Sequence, residues 1–405
     1  MKWIKCLLLV VVMITTFAAY AAAGCDANAD RGDFTITAQS RYRLEMDGRS
    51  FIPDANSDWM QYMRTRVGIK AHASENAGLF VQFQDSRILG DNPGTEFFNN
   101  NTMEETGIHQ AYLWYKPCDM GWVKAGRMSV SMHNERLVGK YDWDNTGRTE
   151  EGIMFGHKLG DNVGFTAAVW QLEENNFDDV ETGDRLMDPM FYVFNLNFSE
   201  QQFDLFAYLW KDEYLANAKL WTFGVYSQRT FADTWFYDAM FALQTGSDDV
   251  VDYSGMLINA EIGDEFANGF KVSALVDYTT GDDPETVDEV ETFNNLLYSG
   301  HKWNGYMDYF VGGLSYGLMD FAIKLYYPLE KGWSLSGTGH SFSTAEDYDT
   351  ADGTSSSIGT EFDFGVRKTD GPFAVQAGLG IFSPNSDWSD GDSGTWGYVQ
   401  GTVNY

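Results

Sequence analysis

The feature that most constrains the fold is a set of long stretches in which apolar and polar residues alternate. Between Met60 and Ala73 one parity holds Met63, Thr65, Val67, Ile69, Ala71 and Ala73. The other parity holds Arg64, Arg66, Gly68, Lys70 and His72. Phe34–Met46 alternates in the same way. Because successive side chains of a strand point to opposite faces, this pattern predicts strands with one apolar wall and one polar wall.

The length of these segments favours a membrane barrel over a soluble β-sandwich. Strands of soluble proteins usually have about 5–6 residues, whereas a tilted membrane-spanning strand needs about 9–11. Aromatic residues make up 16% of the chain, with 41 Gly against only 8 Pro, which suits strands that are apolar on one side. A closed barrel also removes the exposed edges of a long sheet. We therefore predict an all-β, transmembrane, antiparallel barrel.

Short turn signals alternate along the chain with long polar insertions. The predicted long insertions are Asp91–Thr106, Glu173–Arg185, Gly281–Lys302, Thr344–Ser357 and Pro384–Gly394. Bacterial outer-membrane barrels have short periplasmic turns, long extracellular loops and an even number of strands. Counting the segments between these signals gives about eighteen strands, with both termini on the periplasmic side.

The N-terminus has the features of a secretory signal. Lys2 and Lys5 precede a short apolar run that ends in small residues. We expect a signal peptide at 1–23, a periplasmic segment at 24–32 and the barrel at 33–405, in the cell outer membrane. Three alternatives stay open for Cys25: lipidation, a disulfide bond with Cys118, or a free thiol.

The final segment, Thr395–Tyr405, alternates and ends on an aromatic residue. Such a final strand is similar to the signal that the outer-membrane assembly machinery reads, so we expect that machinery as a partner. The other expected partners are the lipid bilayer, lipopolysaccharide and a transported solute. A chain with a formal net charge of −32 shows no nucleic-acid footprint.

Several motifs resemble the alginate export family of outer-membrane channels. They are Phe83–Arg87, His109–Leu113, Gly126-Arg127, Glu135–Gly139, Asp142–Thr149 and, more loosely, Gly359–Asp363, Gly378–Pro384 and Tyr398–Tyr405. The resemblance implies an eighteen-stranded barrel and passive transport through a lumen narrowed by charged side chains. The family's Gly-Arg-Gln triplet is Gly126-Arg127-Met128 here, and the family name does not establish alginate as the cargo.

Basic residues concentrate in the first part of the chain. Of the 25 Lys and Arg that remain when Lys2 and Lys5 are removed from 27, 15 lie between Arg31 and Lys158. A lipid-facing Arg near the bilayer midplane would cost about 2–4 kcal/mol, so we expect these side chains in the lumen or at the rim. The predicted pore-lining residues are Arg41, Arg43, Arg64, Arg66, Lys70, Arg127, Arg148, Glu361 and Asp363.

Two interpretations of these arginines stay open from the sequence. Rings of Arg or Lys select anions in pores. Alternatively, the arginines pair with Glu45, Glu150, Glu361 and Asp363 and only hold the shape of the lumen. The aromatic residues of the long insertion before the next strand, Trp303, Tyr306 and Tyr309, either fold inward and narrow the pore or belong to an aromatic girdle or to loop packing.

Other chemistries have little support in the sequence. No Cys/His spacing fits a metal or haem site, and we expect no metal and no cofactor. His133 near Glu135 and His340 near Ser341 are the only histidines placed for catalysis, and neither has a recognisable partner motif. We therefore expect no enzyme, but a porin-like channel for anionic solutes, including oligo- or polysaccharides. The alternative is a non-transporting scaffold barrel that encloses or docks a partner protein.

Overall fold

The structure is a computed structural model that describes residues 33–51, 56–90, 105–118, 121–173, 188–213, 217–389 and 391–405. The expected signal peptide and the segment 24–32, with Cys25, lie outside the described residues. The side chain of Cys118 also lies outside the described residues. Lipidation, a disulfide bond and free thiols therefore stay alternative predictions for these cysteines. In the described ranges, no helix has the length and the hydropathy needed to cross a membrane.

Long antiparallel strands build almost the whole described chain. In chain order they are β1 (Phe34–Gly48), β2 (Asp58–Ser74), β3 (Ala77–Ile88), β4 (Glu105–Cys118), β5 (Gly121–Met128), β6 (Glu150–Lys158), β7 (Val163–Gln171), β8 (Met190–Phe198), β9 (Phe203–Asp212), β10 (Ala218–Phe231), β11 (Trp235–Ser247), β12 (Asp252–Glu265), β13 (Lys271–Thr279), β14 (Glu289–Val290), β15 (Leu318–Pro328), β16 (Trp333–Thr350), β17 (Gly353–Asp370), β18 (Phe373–Pro384) and β19 (Gly394–Asn404).

Eighteen of these strands form a closed wall, and the two-residue β14 pairs with β12 inside a loop. Each wall strand pairs with its neighbours along the chain, and β1 pairs with both β2 and β19. The sheet therefore has no free edge, as a lipid environment requires. The part of the chain that the structure describes also has two short 3-10 turns, Gly300–Lys302 and Glu330–Gly332. The predicted closed antiparallel barrel of eighteen strands is confirmed.

The two ends of the barrel differ in the length of their connections. At one end every connection between strands has two to five residues, and the opposite end carries all the long loops together with a few short connections, such as 248–251. Since short turns face the periplasm in such barrels, we call these the periplasmic and the extracellular ends. One expected insertion is absent, because residues 344–357 instead form the paired tips of β16 and β17.

Alternation along each strand separates the two surfaces of the wall. On the outer surface Phe223 and Phe321 are each 47% exposed and Phe362 is 53% exposed. Such side chains would face lipid and lipopolysaccharide. On the inner surface the strand residues next to them in sequence are buried, because two loops fold into the lumen.

The core of the molecule therefore lies inside the barrel. The loop 129–149 between β5 and β6 packs Leu137 and Val138 against a set that includes Trp170 and Phe191 of the wall. The loop 280–317 between β13 and β15 packs Met307 against a second set of wall residues, Phe342, Phe382 and Trp396. Apolar burial thus holds both loops in the lumen.

Candidate functional site

The arginines of β1 and β2 bind one short segment of the 129–149 loop. Arg41 donates to the carbonyl oxygens of Asp142 and Asp144 at 2.8 Å each. Arg43 donates to the carbonyl oxygen of Trp143 at 2.7 Å. These groups bring 142–146 against the lumen wall, where the strand register places Arg41 directly opposite Arg64.

The next two arginines complete this anchor. Arg64 reaches the carbonyl oxygens of Asp142 and Asp144 at 3.1 Å each. Arg66 contacts the Asp142 carboxylate at 2.6 Å and the carbonyl oxygen of Thr146 at 3.0 Å. Burial alone would raise the pKa of Asp142, but the guanidinium groups of Arg64 and Arg66 outweigh burial and lower that pKa. The carboxylate is therefore charged at neutral pH.

The anchor carries an excess of positive charge. Among the described residues, its four guanidinium groups contact two carboxylates, those of Asp142 and Glu45, and Glu45 binds Arg43 at 2.5 Å. Arg41 contacts carbonyl and amide oxygens instead. A carbonyl oxygen accepts a hydrogen bond without cancelling the charge of the donor. This part of the lumen wall therefore keeps a positive field.

Carboxylates of β13 and β17 hold the loops on another part of the lumen wall. Arg136, from the 129–149 loop, forms two bonds with Asp277 of β13, with Nε to Oδ2 at 2.6 Å and Nη2 to Oδ1 at 2.8 Å. Both side chains are only 1% exposed. This bidentate geometry is the strongest form of a carboxylate–guanidinium contact.

Glu361 and Asp363 of β17 bind the backbone of the 280–317 loop. The Glu361 carboxylate accepts from Met307 N at 2.9 Å, and the Asp363 carboxylate accepts from Tyr306 N at 3.2 Å. Gly305 precedes them with φ +88, and an added Cβ would collide with the Glu361 carboxylate. Only glycine meets both conditions at low cost.

The two loops also bind each other in the lumen. Val138 and Leu297 form a parallel bridge, and Gly139 N donates to the carbonyl oxygen of Leu297 at 2.8 Å. The rings of Trp143 and His301 stack with centroids 4.0 Å apart. The loops therefore act as one insert that is bound to both charged walls.

Not all of the sequence-predicted residues lie at this insert. Lys70 lies on the lumen parity of β2 nearer the periplasmic end, and Arg148 is in the 129–149 loop, where it donates to the carbonyl oxygen of Tyr298 at 3.1 Å. Arg127 alternates with the buried Met128, so it lies on the outward parity of β5 and pairs with Glu151 at 2.5 Å. This position differs from the lumen position expected from the sequence.

Sequence reasoning missed Arg136, Asp277 and Lys124. Arg136 is in a loop without alternation, so no local pattern indicates that it faces β13. Asp277 and Lys124 do lie on the lumen parities of their strands, and a complete parity assignment of β13 and β5 would have found them.

The two histidines considered for catalysis bind wall residues. His340 lies 2.9 Å from the Asp320 carboxylate and 3.4 Å from Asp363, while Ser341 alternates to the outer surface. His133 lies 3.0 Å from the side-chain oxygen of Asn195. Neither histidine has a serine nucleophile beside it among these contacts.

A cavity of about 190 Å³ lies between the 280–317 loop and the wall. Its lining includes Lys302, Trp303 and His340. Trp303 is 6% exposed and lies under the ammonium groups of Lys302 and Lys324, at 5.5 and 5.8 Å from the ring centroid. This aromatic residue of the long insertion is therefore inside the barrel.

Comparison with known proteins assigns this architecture to a family. The profile described as Alginate export matches residues 31–367, which is most of the chain. The chain belongs to the alginate export family. No curated protein has a sequence that matches this chain significantly.

Solved porins share the fold of this alginate export family member. A BenF-like porin from Pseudomonas fluorescens Pf-5 is 11% identical, covers 92% of this chain and 99% of its own, and superimposes with a TM-score of 0.64. OccAB1 from Acinetobacter baumannii is 10% identical, with 95% and 99% coverage and a TM-score of 0.64. OccK2 (OpdF) from Pseudomonas aeruginosa, solved in complex with glucuronate, is 9% identical, with 93% and 99% coverage and a TM-score of 0.63.

Proposed function

We propose that this outer-membrane barrel is a passive channel for anionic solutes, including oligo- or polysaccharides. The observation that carries the proposal is the excess of guanidinium over carboxylate groups around Asp142. Positive side chains in a narrow passage lower the energy of an anion there and raise that of a cation. The effect is larger than in bulk water, because low-dielectric protein surrounds the passage.

The insert of two loops supports selectivity rather than wide diffusion. Loops that fold into a barrel leave less open cross-section than the wall alone, so a solute must pass beside charged and aromatic side chains. Aromatic side chains of the insert, such as Trp143 and Tyr306, stack on His301 and add flat apolar surface to a charged lumen. A charged, aromatic-lined passage therefore fits acidic saccharides better than neutral apolar solutes.

The proposal includes a non-enzymatic role and assembly through the C-terminal strand. Tyr405 is 85% exposed, and its backbone exchanges hydrogen bonds of 2.7 and 2.9 Å with Ala38. The last strand thus reaches the wall closure with its terminal ring still accessible. We infer that this end is the part read by the assembly machinery before β1 and β19 pair.

Planar-bilayer recordings under a KCl gradient test the channel directly. We expect a reversal potential that indicates preference for chloride over potassium. Arg41→Gln removes a guanidinium that contacts no carboxylate, so the preference should decrease in this variant. Arg127→Gln is the matched control, because that side chain lies on the outward parity.

Two results would contradict the proposal. A preference for cations that is the same in the wild type and in Arg41→Gln would exclude anion selection by this wall. Absence of any conductance from correctly folded barrels would favour the scaffold role instead.

A further inference from the structure

A group of basic and aromatic side chains lies on the lumen wall between the insert and the periplasmic end. Its members are Lys70 of β2, Tyr112 and Trp114 of β4, and Trp122 and Lys124 of β5. The strand register places them together, because Trp114 lies opposite Lys124 and Tyr112 lies opposite Phe80, which in turn lies opposite Lys70. We call these five side chains the lysine–aromatic platform.

Glycines in the neighbouring strands hold the rings of the platform flat. A Cβ added at Gly78 would lie 2.7 Å from the Trp114 ring, and one added at Gly156 would lie 2.5 Å from the Trp122 ring. The rings therefore cover wall backbone with one face. Both tryptophans remain partly exposed on the lumen side, where Lys70 and His72 lie against Trp114.

The two lysines lean toward each other over these rings. β2 and β5 are three strands apart, a separation of about 14 Å at the usual strand spacing. The Lys70 ammonium nevertheless lies 5.2 Å from the centroid of Trp114, and the Lys124 ammonium lies 5.2 Å from Tyr112 and 5.7 Å from Trp122. Both contacts are of the cation–π type.

Neither ammonium has an acidic partner. Within the described ranges, no carboxylate lies within 4.0 Å of Lys70 or Lys124, although the whole chain has 59 Asp and Glu against 27 Lys and Arg. Like charges on one side of a sheet repel each other. The two ammonium groups therefore carry uncompensated positive charge on this part of the wall, without the loop contacts that the arginines make.

We propose that the lysine–aromatic platform binds a carboxylate carried on a ring, the chemistry that sugar acids and aromatic acids share. The carboxylate would lie between the two ammonium groups and the flat ring face would stack on Trp114 or Trp122. The proposal rests on the proposed function, because the ligand reaches the platform through the lumen. It adds a site at the periplasmic end that is separate from the arginines that anchor the loop.

Calorimetric titration of the full barrel in detergent at low ionic strength tests the platform. The probes are glucuronate as a sugar acid, benzoate as an aromatic acid, glucose as a neutral ring and acetate as a carboxylate without a ring. We expect binding of at least one ring acid, and binding of glucose and of acetate at least tenfold weaker.

The variants separate charge from stacking. Lys70→Gln with Lys124→Gln should weaken binding of the ring acid at least tenfold, or about 1.4 kcal/mol. Arg at both positions keeps the charge and should restore binding to within about threefold. Trp114→Leu keeps both ammonium groups and should weaken the ring acids but not acetate. Lys158→Gln is the control, since Lys158 lies on the same wall at the end of β6 and should leave binding unchanged.

The outcomes are distinguishable from those of the channel experiment. Equal affinity in the double Gln variant, or equal affinity for glucose and glucuronate, overturns the platform. Anion-selective conductance without any ring-acid binding overturns the platform and leaves the channel proposal standing. Ring-acid binding that depends on both lysines, in a barrel that does not conduct, supports the platform and contradicts the channel.

Discussion

The basic wall formed by β1 and β2 and the acidic wall formed by β13 and β17 hold the same insert by opposite means. On the basic wall, guanidinium groups bind mainly carbonyl oxygens of residues 142–146. On the acidic wall, Asp277 binds a guanidinium, and Glu361 binds a backbone N–H. Both arrangements satisfy polar groups that would be costly to bury alone.

The two walls differ in the charge that remains on them after they bind the insert. Arg136 neutralises Asp277 within a pair that is 1% exposed on both sides. A carbonyl oxygen cannot neutralise Arg41 in this way. An anchoring arginine therefore still contributes to the field of a pore if its partner is a dipole. Structural pairing and anion guidance are therefore compatible for the same residues.

The largest effect is expected where a fully buried charge pair is broken. Arg136→Met leaves the Asp277 carboxylate buried without its partner, which costs about 3–5 kcal/mol. We expect faster hydrogen exchange in both loops, 129–149 and 280–317, because the pair links the insert to the acidic wall. Hydrogen exchange read by mass spectrometry measures this.

A double variant is the control for this pair. Replacement of both partners by apolar residues, Arg136→Met with Asp277→Leu, removes the uncompensated charge and should recover much of the lost protection. If the single variant exchanges as slowly as the wild type, the acidic wall does not anchor the insert.

The basic wall should be less sensitive, because its contacts are shared among four arginines. Arg64→Gln removes contacts to two carbonyl oxygens and to the Asp142 carboxylate, and a hydrogen bond to a charged group contributes about 1.5–3 kcal/mol. We expect faster exchange near residues 142–146 and a smaller anion preference in bilayer recordings. An unchanged reversal potential together with unchanged exchange would count against the role of this wall, and Arg127→Gln serves as the inert comparison.

A still smaller effect should follow from backbone strain beside the acidic wall. Gly305→Ala places a side chain at φ +88, at a cost of about 1–2 kcal/mol, and drives its Cβ into the Glu361 carboxylate. We expect faster exchange at Tyr306 and Met307. Gly312→Ala isolates the strain alone, because Gly312 has φ +106 with no atom within 4 Å of an added Cβ. Equal effects of the two substitutions would show that the contact with Glu361 is unimportant.

The smallest effect is expected when the channel is exposed to low pH. The pKa of Asp142 is lowered from 3.8, so its contribution to the anchor is complete above that pH and is lost as the pH falls through the lowered value. We expect noisier single-channel currents well below pH 4 and no change between pH 7 and pH 5. The side chain is 36% exposed, and solvent screening keeps the effect small.

Asp142→Asn is the control for the acid effect, since it is neutral at every pH. The variant should show the same current noise at pH 7 and at pH 3. A similar acid response in the wild type and in this variant would assign the response to other carboxylates.

The alternation of apolar and polar residues was enough to predict the barrel and the side of the wall on which most of its basic residues lie. Side-chain alternation is a local property of a strand, so the parities of Arg41, Arg43, Arg64, Arg66 and Lys70 follow from their neighbours in the chain. Alternation did not show which side of the wall Arg127 faces, because both parities of β5 mix polar and apolar residues. One parity holds Val123, Ala125 and Arg127, and the other holds Trp122, Lys124 and Met128.

Only the tertiary structure decided which loops enter the lumen and what holds them there. Arg136 and Asp277 are 141 residues apart, and Met307 and Glu361 are 54 apart. Such contacts depend on the closure of eighteen strands and on the exit angles of the loops from the wall. No periodicity within a loop contains that information, because a loop has no repeating side-chain direction.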